Sequence, residues 1–143
     1  MPSYMAIHPV FGVLAVALIL TAFIMKAGPH KFWELHYWTG TAAFVVGWLA
    51  LGVAILAIMR RMAETQGDMG LPLVLLIHLM LAILGLLVLV IQFGLGLAMR
   101  VVIGGPPMFL KFHKLNARIL AGMAVLILIF GVSTLVMAAL GYM

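Results

Sequence analysis

Cysteine is absent from this chain of 143 residues. Disulfides, iron–sulfur clusters and thiolate zinc sites are therefore excluded, as is covalent haem attachment through a CxxCH motif. Charge is almost as scarce, at 8% of residues. A water-facing surface on a domain of this size needs far more, so an ordinary soluble domain is excluded too. The three carboxylates, Glu34, Glu64 and Asp68, all lie near the ends of apolar runs. They leave little from which to build an aqueous ion path. No positive charge precedes the first apolar run and no small-residue cleavage site follows it, so no signal peptide is expected.

What the chain has instead is hydrophobicity, at 67% of residues. Four runs are long enough to cross hydrocarbon, which takes roughly 20 residues each. They predict helices over about 3–26, 31–60, 71–100 and 107–142. The connecting segments are short. The expected fold is all-α: one integral membrane domain over 1–143, a four-helix up-and-down bundle with no room for a separate catalytic module. Its first partner is the lipid bilayer, and an oligomer is compatible with it.

The net charge of +5 does not point to nucleic acid, because of where it lies. Lys26, Lys31, Arg100, Lys111, Lys114 and Arg118 flank the first and third loops, while only Arg60 and Arg61 flank the second. The positive-inside rule places loops one and three in the cytoplasm and both termini outside, in a cytoplasmic membrane. Trp33, Tyr37 and Trp38 fit an inner aromatic belt, and Tyr4 and Tyr142 an outer one.

Each run has a proline near its start: Pro2, Pro29, Pro72 and the pair Pro106–Pro107. Proline suits a first helical turn. Pro9 allows two readings: helix 1 begins there, or it begins at Ser3 and Pro9 bends it. Counting from those prolines, His8, His36, His78 and His113 fall six or seven residues in, one per helix. Four residues beyond them stand Gly12, Gly40, Ala82 and Ala117, each on its histidine's face of the helix. Glycine and alanine make up nearly a quarter of the chain. Four such coincidences arise by chance with odds on the order of a few per thousand. His30 has Glu34 at that position and reads as an ordinary interfacial histidine.

Helices 1 and 3 start on one side of the membrane, and helices 2 and 4 on the other. His8 is thereby matched in depth with His78, and His36 with His113. Two imidazoles facing each other beside small residues suit one large planar ligand, and a bis-histidine haem fits that description. The count provides for two non-covalent haem b groups, His8 and His78 holding the outer iron, His36 and His113 the inner. A bare zinc or copper ion would more naturally gather three or four ligands at one depth. A single intramembrane histidine is often a satisfied packing residue, but four at matched depth make a functional candidate. Lys111, Lys114 and Arg118, with Lys26 and Lys31, stand ready for anionic propionates on the inner side, and Arg60 and Arg61 on the outer. The bland reading of those cations is topology signal with snorkelling stems. Gln92 lies about 21 Å down helix 3 from His78, close to the inner pair. There it could hydrogen-bond a haem edge or a quinone. Asn116, Thr39, Thr41, Ser133 and Thr134 read more simply as helix–helix hydrogen bonds, and Gly47, Gly52, Gly94 and Gly96 as close packing.

The segments "HPVFG", "HYWTG", "HLMLAILG" and "KFHKLNA", with "LVLVIQFGLG" after His78, resemble the cytochrome b561 family in its broad sense. The resemblance covers essentially the whole chain. It implies a four-helix core with one haem-ligating histidine per helix, paired first with third and second with fourth, and electron transfer across the membrane. The flanking helices and basic substrate segments of ascorbate-dependent members are not found here, so that activity is not carried over. The function expected is a membrane cytochrome, either an electron-transfer protein or a subunit of a membrane oxidoreductase. It would exchange single electrons with quinone, a redox partner subunit or a soluble carrier. Two rivals belong to other classes: a histidine-based ion or proton carrier, and a cofactor-free structural membrane subunit.

Overall fold

The computed structural model describes residues 3–25, 33–64, 72–101 and 107–140. Pro2, Lys26, Pro29, His30, Lys31, Asp68, Pro106 and Tyr142 lie outside them, as do the side chains of Tyr4 and Trp33. Four helices form, α1 Ser3–Met25, α2 Trp33–Glu64, α3 Leu73–Val101 and α4 Pro107–Ala139. At 23 to 33 residues each, they are about 35–50 Å long, enough to cross a bilayer. Their continuity follows from their composition. In hydrocarbon every backbone donor and acceptor must be paired within the chain, and a helix does so locally. The protein is an integral membrane four-helix bundle.

Of the two readings of α1, the helix begins at Ser3 and contains Pro9. α2 continues four residues past its expected end, to Glu64. Arg, Met, Ala and Glu at 61–64 are good helix formers, and Arg60 Nε donates to Glu64 Oε1 at 3.0 Å one turn on. Pro72 sits just before α3, where its carbonyl accepts from the Leu75 and Leu76 N–H groups at 2.9 and 3.1 Å. Pro107 is the first residue of α4, the position at which a missing N–H costs nothing.

The helices pack as two tight hairpins, α1 with α2 and α3 with α4, which meet more loosely along α1–α4 and α2–α3. α1 and α3 are thus diagonal, as are α2 and α4. The hairpin seams are built of small residues. Ala15, Ala22, Ala43, Ala50 and Ala124 are buried, joined only by Val16, Leu89 and Leu120 among apolar side chains of the described residues. Large apolar residues point outward instead; Leu56 is 67% exposed and Leu87 57%. Such an inside-out distribution is what a bilayer demands, since lipid tails give no drive to bury leucine while small residues let backbones approach. Between the hairpins, Phe44 of α2 stacks on Phe93 of α3 with centroids 4.5 Å apart. Gly85 lies tightly at the α3–α4 seam, where a Cβ would lie 2.8 Å from Ile127 Cδ1 and that side-chain end would have to shift.

Candidate functional site: two histidine pairs

Four of the five histidines meet as two couples across the diagonals of the bundle. The rings of His8 on α1 and His78 on α3 have centroids 6.3 Å apart, with planes at 76°. Those of His36 on α2 and His113 on α4 are 6.2 Å apart at 74°. The likeness of the two pairs follows from the register of each hairpin. His8 Nδ1 donates to the Ala50 carbonyl at 3.0 Å, and His36 Nδ1 donates to the Ala22 carbonyl at 2.9 Å. Advancing 14 residues along α1, from His8 to Ala22, moves 14 residues back along α2, from Ala50 to His36. The two bonds are therefore one contact repeated by the local two-fold of an antiparallel hairpin. α3 and α4 repeat the device with glycines. A Cβ on Gly131 would lie 3.1 Å from His78 Cε1, and one on Gly96 would lie 3.8 Å from His113 Cε1. Here the spacing from His78 to Gly96 and from His113 to Gly131 is 18 residues in both cases. Along the helices the two pairs are about 21–27 Å apart.

A carbonyl only accepts, so Nδ1 of His8 and of His36 must carry the ring proton. In a neutral ring Nε2 then keeps its lone pair, the state in which imidazole ligates a metal. His78 Nδ1 is buried and makes no hydrogen bond among the described residues. His113 is the one buried histidine among the described residues, at 8% exposure, and it faces the side-chain amide of Gln92, at 3.1 and 3.2 Å from its two ring nitrogens. Asn116 Nδ2 donates to Gln92 Oε1 at 2.9 Å and to the Val88 carbonyl at 3.0 Å.

The pair formed by His36 and His113 opens into a cavity of about 770 Å³ walled by all four helices. Gly40, Ala117, Lys114, Arg118 and Gln92 line it, and with them the unanticipated Arg100, Tyr37 and Glu34. The Arg100 guanidinium lies 4.1 Å over the Tyr37 ring and 3.5 Å from Glu34. Lys111 is exposed and stands outside the cavity wall. At the other pair, Gly12 and Ala82 are half-buried one turn from their histidines, and a Cβ on Gly12 would meet nothing within 4 Å. Arg60 and Arg61 are not gathered there. They come ten and eleven residues after Ala50 on α2, about 15 Å beyond the level of His8, and Arg60 is engaged with Glu64.

Of the hydroxyls read as interhelical bonds, Thr39 makes one, donating from α2 to Met25 Sδ of α1 at 3.9 Å, but all four also bond within their own helix. Thr39, Thr41, Ser133 and Thr134 each donate to the carbonyl four residues back on their own helix. The reason is that a short hydroxyl in hydrocarbon reaches its own backbone first. Gly96, which the sequence suggests for packing, and Gly131 lie beside the rings of His113 and His78. Both could have been found by counting 18 residues forward from the histidines of α3 and α4.

The geometry sets what the pairs could hold. A first-row metal sits about 2.0 Å from an imidazole nitrogen, and the ring centre is roughly 1.1 Å further back, so two trans imidazoles on one metal have centres about 6.2 Å apart. Among the described residues no three His, Cys, Asp or Glu side chains come together. The open space beside Gly40 gives a flat ligand room, and Lys114, Arg118 and Arg100 suit anionic substituents on it. No family model, curated protein or solved structure matches the chain.

Proposed function

We propose that the chain is a transmembrane di-haem b-type cytochrome, a conductor of single electrons that serves a redox partner or quinone as a membrane subunit. The observation that carries this reading is the ring separation of 6.3 and 6.2 Å in two couples, each across a diagonal of the bundle. That spacing would admit one metal atom between the two rings of a couple, and it occurs twice. Supporting it are the Nδ1 bonds of His8 and His36, which aim unprotonated Nε2 atoms away from the carbonyls. Gly131 and Gly96 support it as well, since they leave room for the Cε1 edges of His78 and His113 to approach α4 and α3.

His8 with His78, and His36 with His113, would each hold a haem, which would supply one-electron exchange. The chain's own part is to hold the rings, exclude water with its apolar shell, and set the charge around each site. His8 and His78 form one electron station, His36 and His113 the other. Lys114, Arg118 and Arg100 line the second and favour its reduced form, because a nearby cation stabilises the added electron. A charge moving between the stations crosses part of the membrane field, so the transfer couples to membrane potential. The positive-inside count puts the cavity end in the cytoplasm, and electrons enter and leave by a partner protein or quinone at the two faces.

The test is the reduced-minus-oxidised absorption spectrum of protein purified from membranes. Sharp low-spin b-type bands are expected. A colourless protein with full helical content would return the histidines to packing or to ion carriage.

A further inference from the structure

The His36–His113 pair carries a polar chain with no counterpart among the described residues at the His8–His78 pair. Asn116 Nδ2 donates to the Val88 carbonyl at 3.0 Å. Since that carbonyl can only accept, it fixes which end of the Asn116 amide bears hydrogen. Asn116 Nδ2 also donates to Gln92 Oε1 at 2.9 Å, which fixes the Gln92 amide in turn. Gln92 Nε2 is left facing His113, nearly equidistant from its two ring nitrogens. The NH2 group thus lies against the ring instead of along one lone pair. Each pair has one ring on a main-chain carbonyl, His36 on that of Ala22 and His8 on that of Ala50; the pairs differ at the other ring, where His113 faces the positive end of an amide dipole and His78 Nδ1 has no hydrogen bond among the described residues.

We propose that Gln92 is a positioning residue that raises the reduction potential of the His36–His113 site above that of the His8–His78 site, with Asn116 as the clamp that sets its polarity. The proposal rests on the di-haem reading. Oxidising an iron held by His113 adds one positive charge to the metal–imidazole unit. The amide hydrogens oppose that charge, and they do so strongly in a low-dielectric interior. The reduced form is favoured at this site alone, in the same sense as Lys114 and Arg118 on the cavity wall. The consequence is a direction. One electron leaves the His8–His78 site, which is oxidised, and enters the His36–His113 site, which is reduced, with no bond made or broken. The chain is built to pass electrons from the end that carries its termini to the end that carries the cavity.

Potentiometric titration of the purified full-length protein tests this, with His78→Ala used to assign the two midpoints. Gln92→Leu is expected to lower the midpoint of the cavity-side site and leave the other unmoved, and Gln92→Glu to lower it further. Asn116→Leu, which keeps Gln92 but frees its amide to rotate, is expected to lower the same midpoint by less than Gln92→Leu. It carries the test if Gln92→Leu fails to retain haem. An unmoved cavity-side midpoint, or equal shifts at both sites, overturns the proposal. Wild-type protein without haem overturns the di-haem reading itself, and two haems with insensitive midpoints overturn only the role of Gln92.

Discussion

The two histidine pairs have nearly the same ring separation and nearly the same interplanar angle, yet their surroundings differ sharply. At one, His78 rests on Gly131 with a Cβ-equivalent distance of 3.1 Å, and its Nδ1 is buried without a hydrogen bond among the described residues. At the other, His113 stands 3.8 Å from the Gly96 position, against a clamped amide, beside an open cavity with cations on its wall. Ring spacing is thus a property of the backbone, fixed by helix register. Hydrogen bonding and charge are local additions, free to differ between the pairs. In the proposed cytochrome the shared part makes two electron stations and the unshared part makes them unequal.

The largest effect expected is from removing a ring. His78→Ala should abolish the haem at one site and spare the other, and His113→Ala should do the reverse, read as loss of different components of the low-spin spectrum. Loss of both signals in each variant would break the idea of two independent couples. Next comes the glycine contrast. Gly131→Ala forces a methyl to within 3.1 Å of His78, whereas Gly96→Ala adds only an ordinary contact at 3.8 Å. Overpacking of this kind costs about 1–3 kcal/mol, so haem retention at the first site should fall roughly ten-fold in Gly131→Ala and hold in Gly96→Ala. Equal tolerance in a haem-titration assay would mean that the rings shift freely. A smaller effect is expected from replacing Lys114 and Arg118 together with alanine. The cavity-side midpoint should fall, by less at high salt because exposed charges are screened, while the other midpoint stays put. Least of all is expected from Arg60→Ala. The Arg60–Glu64 pair is 60% and 56% exposed and contributes at most about 0.5 kcal/mol, so neither site should respond and the melting temperature should move within error.

Much of this arrangement was legible before any coordinates. Four apolar runs with few charges dictate four membrane helices, because a chain with no polar exterior has nowhere else to go. One histidine about two turns into each run dictates the pairing, because antiparallel helices bring alternate starts to the same side. What a single helix does not encode is its neighbour's register. Gly131 and the carbonyls of Ala22 and Ala50 gain their roles only when α4 meets α3 and α1 meets α2. The small residues one turn beyond the histidines were legible, and a Cβ on Gly12 or Gly40 would meet nothing within 4 Å. Nor do the cations behave as a class. Lys114 and Arg118 reach the cavity, Lys111 does not, and Arg60 turns to Glu64, since a long side chain takes whichever partner its helix phase offers. Arg100 was legible only as topology signal, because its place over Tyr37 depends on where α3 ends beside α2.

The most direct measurement is the ratio of haem to polypeptide in the unmodified protein, by pyridine haemochrome against quantitative amino-acid analysis. Two couples of rings, each spaced for a single iron, require a ratio of two. A ratio of one, or none at all in protein that retains its helices, would contradict the account.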